Sequence, residues 1–252
     1  MKRERIEEIA DLIDKRGKMS LTQLEEFFPH TSPMTLRRDL LFLEQAGKVI
    51  RVRGGAMSVK DVQKTSGVPY TKKTTMHTDE KIQIAVKAAG LIDEGACLFI
   101  DAGSTALYLA KEMPDVACNV FTNGLAVATE LSKKKNVSIN LLGGPINKEN
   151  LSTASSLSPL YFADANFELA IISAAAFTME NGFSCASQTE AELFKLVCKK
   201  AKYVYMMLDG SKVGKIKAYT FARPEDISVL IIDEQVPEEL KEQFKAKEIV
   251  VL

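Results

Sequence analysis

The stretch SPMTLRRDLLFLEQAGKVIRVRGGAM, Ser32–Met57, decides how the N-terminal part of the chain folds. Ser32 followed by Pro33 marks a helix start: serine caps free backbone N–H groups, and proline in the first turn has no N–H to leave unbonded. Leu36, Leu40 and Leu43 then recur at helical spacing, and Gly47 closes the segment. With that leucine stripe turned inward, Met34, Thr35, Arg37 and Arg38 fall on the outer and flanking faces. Val49–Arg53 alternates as a strand, with Arg51 and Arg53 on one face and Ile50 and Val52 on the other, until Gly54-Gly55 turns the chain. Upstream, Ile6, Ile9, Leu12 and Ile13 mark a first helix that ends at Gly17. Ser20–Phe28 marks a second, capped by Ser20 and stopped by Pro29. Three short helices and a β-hairpin make a winged helix-turn-helix spanning residues 1–57.

In such a motif the N-terminal half of the third helix enters the major groove of DNA. There an arginine can bond a guanine edge twice while its neighbours hold phosphates. Arg51 and Arg53 on one strand face repel each other unless an anion lies beside them, as a phosphate backbone would. The helix starts at Ser20 and Ser32 offer further N–H groups to phosphate. The residues expected at double-stranded DNA are therefore Ser20, Ser32, Met34, Thr35, Arg37, Arg38, Arg51 and Arg53. Either arginine pair alone reads equally well as solvent-facing charge; both pairs on one winged helix point to DNA.

Residues 58–78 are polar, contain Gly67 and Pro69, and show no apolar period, which reads as an interdomain linker. From residue 79 to 252 helices alternate with apolar runs: ACLFI (96–100), NVFT (119–122), VSINLL (137–142), ELAIISAA (168–175), KYVYMMLD (202–209), ISVLIID (227–233) and EIVVL (248–252). Continuous apolar strands between helices imply an α/β domain with a mostly parallel sheet covered on both faces. Polar loops follow four strands: Asp101-Ala-Gly-Ser-Thr, Thr122-Asn-Gly, Gly143-Gly144 and Asp209-Gly-Ser-Lys. The carboxyl ends of strands border the ligand crevice in an open α/β sheet. Glycines there let backbone N–H groups approach an anion, and Ser104 and Thr105 begin a helix, where partial positive charge favours phosphate. Lys212 adds a mobile charge, while Asp101 or Asp209 can accept bonds from sugar hydroxyls. This chemistry suits a small phosphorylated polyol. Such residues are also routine turn formers, so the expectation rests on the four loops converging.

Bulk properties narrow the class. Formal net charge is +0 over 252 residues; residues 1–60 hold 12 basic and 9 acidic side chains, leaving 21 and 24 for the remainder. That asymmetry is too mild to argue for a polyanion by itself. The four cysteines are scattered without a CxxC pair, which fits free thiols in a reducing cytosol. His30 and His77 stand apart, so neither a metal nor another cofactor is expected. No apolar run approaches the ~18 residues that span a bilayer, and the charged N-terminus lacks the apolar stretch of a signal peptide. The expected class is a soluble cytoplasmic protein without a membrane partner.

Thr35, Leu36, Arg37, Arg38, Asp39, Leu40, Leu43, Gly47, Arg51, Val52, Gly54, Gly55 and Ala56 together carry a T-[IL]-R-R-D-L helix, an L-x-x-x-G stop and an R-V-x-G-G-A wing. This resembles the N-terminal signature of DeoR-type bacterial transcriptional regulators, except that Ser32-Pro33-Met34 stands where the family usually has Val-Ser. Asp39 is expected to orient an arginine or a backbone group rather than to read a base. Glu80-Lys81, Ile84-Ala85, the Asp101 loop, Thr122-Asn123, Gly143-Gly144, Glu190-Ala191, Asp209, Ser211-Lys212 and Gly214 resemble the C-terminal sensor domain of the same family. The resemblance spans nearly the whole chain. It implies a fold related to ribose-phosphate isomerases and coenzyme A transferases, with a sugar phosphate as effector. Gly103, Ser104, Thr105, Asn123, Gly124 and Lys212 are its implied contacts, with Asp101, Thr122, Gly143, Gly144, Glu190 and Asp209 around them and no catalytic residue. Ser155, Glu168 and Ser173–Ala176 depart from the family's glycine, aspartate and G-x-D-G-like stretch, removing backbone freedom and a hydroxyl acceptor. The expected function is a DNA-binding regulator, by family habit a repressor, of a carbohydrate-metabolism operon, acting as a homo-oligomer (dimer or tetramer). Two alternatives stand beside it. One is a sugar-phosphate isomerase using Asp101, Glu190 or Asp209 as base; the other is a regulator whose pocket is vestigial.

Overall fold

Three helices, α1 (Lys2–Arg16), α2 (Leu21–Phe27) and α3 (Pro33–Gln45), begin the computed structural model, which describes residues 2–46, 48–52, 54–58, 70–155, 158–162 and 164–252. The chain divides into two compact units, Met1–Val68 and Pro69–Leu252. In the first, Ser20 and Gln23 cap α2 reciprocally: the Gln23 N–H donates to Ser20 Oγ at 3.1 Å and the Ser20 N–H to Gln23 Oε1 at 2.8 Å. Ser32 caps α3, its Oγ accepting from the Thr35 N–H at 3.3 Å, and Pro33 occupies the first turn. Leu36, Leu40 and Leu43 are buried against Ile6, Ile9, Ile13 and Leu24, as the helical spacing requires.

The wing has three strands. β1 (Lys18–Ser20), β2 (Val49–Val52) and β3 (Gly55–Ser58) form an antiparallel sheet in the order β1-β3-β2. β1 was not expected, because three residues are too few to show a period; Met19, fully buried opposite Ala56, anchors it. The glycine pair does two different jobs. Gly54 has φ +82° and supplies the left-handed turn. Gly55 lets β3 pass against β1, since a Cβ there would lie 2.1 Å from the Met19 carbonyl oxygen.

The second unit opens with α4 (Tyr70–Thr75) and α5 (Thr78–Ala89). It continues through β4 (Cys97–Ile100), α6 (Ser104–Glu112), β5 (Cys118–Thr122), α7 (Leu125–Leu131) and β6 (Val137–Leu141). A small hairpin of β7 (Ile146–Asn147) and β8 (Ser152–Thr153), then α8 (Ser158–Tyr161), leads to β9 (Phe167–Ser173). After β10 (Ala176–Thr178) and β11 (Gly182–Cys185) come α9 (Gln188–Lys200), β12 (Ala201–Leu208), β13 (Tyr219–Ala222), β14 (Val229–Ile232), α10 (Glu238–Lys245) and β15 (Val250–Val251). Seven strands pair in parallel in the order β15-β14-β12-β9-β4-β5-β6, while β10-β11-β13 form a separate antiparallel sheet. Alternate residues of each central strand enter different cores. Leu98, Ile100, Leu169 and Ile171 face α5, α6 and α7; Phe99, Ala170 and Ile172 face α9, α10 and the small sheet. Both faces are covered, which is why these strands read as unbroken apolar runs.

One expectation fails here. Residues 70–75, read as part of a 58–78 linker, are helical, and Thr78 already begins α5. None of the α4 residues is buried, so the helix leaves no apolar period to read. Polar contacts hold it instead: Lys81 Nζ donates to the carbonyls of Lys73 at 2.5 Å and of Met76, and Tyr108 Oη to that of Thr74 at 2.8 Å. Residues 59–69 of that stretch lie outside the described residues.

The two wing glycines should respond differently to substitution. Gly54→Ala meets open space and is expected to cost about 1 kcal/mol from its left-handed backbone alone. Gly55→Ala must push β3 off β1 and is expected to cost about 2–3 kcal/mol. Hydrogen exchange of the α1–α3 amides in the full chain measures both; equal losses contradict the close approach.

Candidate nucleic-acid interface and ligand crevice

The outer face of α3 carries the side chains expected at DNA. Met34 is 57% exposed, Arg37 and Arg38 are exposed, and Thr35 is half-buried with its Oγ1 2.9 Å from Ser32 Oγ. Among the described residues neither Arg37 nor Arg38 has an ion-pair partner. Asp39 faces the other way. It is buried and accepts from Arg5 Nε at 2.8 Å, a bond that raises the Arg5 pKa and ties α3 to α1. The aspartate thus orients an arginine, one contributed by another helix. Arg51 is exposed but not unmatched: its Nη1 lies 3.6 Å from Glu44 Oε2, and its backbone N–H donates to Glu44 Oε1 at 3.4 Å. Glu44, seven residues upstream, was missed because nothing in the strand pattern points to it. The Ser20 N–H is spent in the capping box and is not available to phosphate. Arg53 and the Ile50 side chain lie outside the described residues.

In the second unit the strand order reverses between β4 and β9, with β5 and β6 following on one side and β12, β14 and β15 on the other. In open α/β sheets ligands bind in the crevice outside the carboxyl ends of the strands at such a reversal. Asp101 and Ser173 meet there: Oδ2 of Asp101 accepts from the Ser173 N–H at 2.9 Å and from its Oγ–H at 3.0 Å. Burial pushes the Asp101 carboxyl well above the usual carboxylate range; the Ser173 bonds pull it partly back and the charge of Glu190 adds to the rise. Gly103, at φ +112°, turns the chain into α6, so Ser104 and Thr105 start that helix beside the reversal. On the next strand Thr122 Oγ1 accepts from the Gly124 N–H at 2.9 Å. Gly124 packs so closely on the Asp101 loop that a Cβ would lie 3.0 Å from Ala102 Cα. Between them Asn123 is 0% exposed, and among the described residues neither its Oδ1 nor its Nδ2 has a hydrogen-bond partner. A buried amide left so costs about 1–3 kcal/mol and calls for a reason.

Asp209 ends β12 on the far side, its Oδ1 accepting from the Ser211 N–H at 3.1 Å and its Oδ2 4.0 Å from Lys212 Nζ. Glu190, buried in the first turn of α9, accepts from Asn150 Nδ2 at 2.6 Å and from Ser152 Oγ. It thereby holds the β7–β8 hairpin, whose Thr153 N–H donates to the Asn123 carbonyl at 2.7 Å. Gly143 and Gly144 lie farther out, beyond the edge strand β6, against Tyr161 and Ser155. They connect to the crevice through Thr153, whose hydroxyl donates to the Leu142 carbonyl. Of the departures, Ser173 serves as donor to Asp101, whereas Glu168 is exposed near the opposite end of β9 and does not touch the crevice.

Three lysines were missed. Lys73 Nζ donates to the Glu149 carbonyl at 3.0 Å, Lys81 is 3% exposed against α4, and the Lys217 N–H donates to Ser184 Oγ at 2.9 Å. Burial, and then repulsion from Lys212, lowers the pKa of all three, with Lys217 pushed down to about 8. They share one electrostatic neighbourhood with Lys212. Lys81 had a signal in the Glu80-Lys81 pair; Lys73 lay in the tract read as linker, and Lys217 in a loop without pattern. Among the described residues no group of three or more His, Cys, Asp or Glu could hold a metal, and no helix is long and apolar enough to cross a membrane.

The Asp101 shift has a testable sign. Below the unfolded value of about 3.8 both states are protonated and burial carries no penalty. As pH rises from there towards the raised folded value, the unfolded state ionises first and stability falls. Asp101→Asn, which keeps an acceptor for Ser173, is expected to raise the melting temperature at neutral pH and to match the parent near pH 3. A stabilisation independent of pH would contradict a buried, proton-retaining carboxyl.

Residues 5–62 match the DeoR-like helix-turn-helix domain family and residues 76–234 the DeoR C terminal sensor domain family. Similar proteins include the lactose phosphotransferase system repressor of Streptococcus mutans, 32% identical over 99% of each chain. The HTH-type transcriptional regulator GolR of Listeria innocua is 31% identical over 96% of this chain and 94% of its own. The HTH-type transcriptional repressor GlcR of Bacillus subtilis is 31% identical over 91% of this chain and 88% of its own. Among solved structures, ribose 5-phosphate isomerase A of Methanocaldococcus jannaschii covers 54% of each chain at 14% identity and a TM-score of 0.39, too low a likeness to bear on chemistry.

Proposed function

We propose how this chain, which belongs to the DeoR family of helix-turn-helix transcriptional regulators, does its work. Residues 1–57 bind an operator in double-stranded DNA through the outer face of α3, and residues 79–252 bind a phosphorylated sugar that changes operator affinity. The regulated genes serve carbohydrate metabolism, and the mode is repression in the cytoplasm. A homo-oligomer, dimer or tetramer, presents paired winged helices to paired half-sites. One observation carries this reading: Arg37 and Arg38 are exposed and, among the described residues, without ion-pair partners on a helix whose opposite face is locked by leucines and by Arg5–Asp39. For the ligand half, the support is Asn123, buried with both amide atoms unsatisfied between two loops at the strand-order reversal.

An isomerase needs a carboxylate poised as base. Asp101 is engaged by Ser173, Glu190 by Asn150 and Ser152, and Asp209 by Ser211. These engagements favour binding without turnover. A vestigial pocket fits poorly with the lysines around Lys212, whose mutual repulsion an empty, functionless site gives no reason to retain.

Fluorescence anisotropy with DNA from upstream of its own operon tests the first half. The Arg37→Ala, Arg38→Ala double variant is expected to lose sequence preference, at about 1–3 kcal/mol per bidentate guanine contact. Arg51→Ala is expected to weaken binding about equally across sequences and to lower the salt slope by about one phosphate (~0.9). Glu44→Ala, which frees Arg51, is expected to tighten binding. Absence of salt-sensitive, sequence-preferring binding would sink the reading. Thermal melts across sugar monophosphates test the second half, because a ligand at 100 times its Kd adds about 2.7 kcal/mol. Conversion of an aldose phosphate to its ketose would favour the isomerase instead.

A further inference from the structure

Helix α4 is the first described element after residues 59–69, the stretch that joins the two units in sequence. Its C-terminal carbonyls are held from below by two residues of the second unit. Lys81 Nζ bonds those of Lys73 and Met76, and Tyr108, one turn along α6 from Ser104, bonds that of Thr74. The Lys73 side chain reaches in the other direction. Its Nζ donates to the Glu149 carbonyl in the turn between β7 and β8, and that hairpin is tied to Glu190 through Ser152 and to Asn123 through Thr153. An ammonium of α4 therefore stands at the rim of the crevice.

A carbonyl satisfies a donor but does not cancel its charge. Lys73 is opposed in part by Glu149 and Glu190, and Lys212 by Asp209, yet repulsion among Lys73, Lys81, Lys212 and Lys217 persists. A dianionic phosphate relieves it, accepting charge-assisted bonds that are roughly twice as strong as neutral ones. Two further polar groups are also unsatisfied: the buried Asn123 amide, and on α4 itself the Tyr70 hydroxyl. With no buried residue, α4 can shift without opening a core.

We propose that Lys73 is a phosphate-contacting residue of the crevice, and that α4 closes on the phosphate. The proposal rests on the reading of the crevice as the site of a phosphorylated sugar. On binding, Lys73 exchanges the Glu149 carbonyl for a phosphate oxygen, and α4 follows it. Binding energy is thereby spent on the first described element after residues 59–69.

Calorimetric titration of the full chain with inorganic phosphate is the test. Lys73→Gln is expected to weaken phosphate binding by about tenfold, the loss of one charge-assisted bond, and Lys73→Arg to restore it. Lys212→Gln is expected to weaken it as well. In the wild type, where no variant need fold, saturating phosphate is expected to slow hydrogen exchange across residues 70–76. Unchanged affinity in Lys73→Gln together with a loss in Lys212→Gln overturns the role of Lys73 and leaves the crevice reading standing. Wild-type exchange over residues 70–76 that ignores phosphate overturns the closure of α4. No phosphate binding by the wild type, or none lost in Lys212→Gln, overturns the crevice reading and the proposal with it.

Discussion

Two hydrogen bonds from Ser173 to the buried Asp101 close the seam at which the parallel sheet reverses its strand order. What lies around that seam follows from it. With the ends of β4 and β9 fixed together, Gly103 must turn sharply to start α6, and Gly124 must come within contact of Ala102. Asn123 is then enclosed between loops that cannot spread to hydrate it. The first unit uses the same device for another purpose. Asp39, buried and bonded to Arg5, fixes the rotation of α3 so that Arg37 and Arg38 have no inward option. In each unit a buried acidic side chain fixes its surroundings: Asp39 the rotation of α3, Asp101 the loops after β4 and β9.

Most of the scaffold was legible because its elements are long enough to show a period. Leu36, Leu40 and Leu43 defined one face of a helix, and the apolar runs at 96–100 and 168–175 showed strands buried on both sides. The features that escaped are short or polar. β1 has three residues, and β10, β11 and β13, with three or four each, lie in a small antiparallel sheet with a register shift between Phe183 and Ser184. α4 is held by hydrogen bonds to the carbonyls of its last turn, which leave no trace in hydropathy.

The site was legible in outline and not in its charges. Loop positions after strands could be read from glycines and small polar residues, which located Asp101, Thr122, Asn123 and Asp209 correctly at the carboxyl ends of β4, β5 and β12. Gly143 and Gly144 obey the same rule but sit past an edge strand, and only the strand order distinguishes them. Lys73, Lys81 and Lys217 come from three separate segments and meet by tertiary folding alone. The matching of Arg51 by Glu44 is of the same kind: a helix and a wing place a carboxylate beside an arginine seven positions away. Charge pairing of this sort decides how much of a basic surface is free to meet an anion, and it is invisible to composition.

On the proposed function, one chain couples a phosphorylated ligand at the strand ends to an operator at α3. Coupling between two sites is reciprocal, so a single thermodynamic cycle measures it. Operator affinity should be determined with and without the sugar monophosphate giving the largest thermal stabilisation, and that ligand's affinity with and without operator. The two ratios are expected to agree and to fall within about 5–150-fold, or roughly 1–3 kcal/mol. Saturable ligand binding that leaves operator affinity unchanged would contradict it.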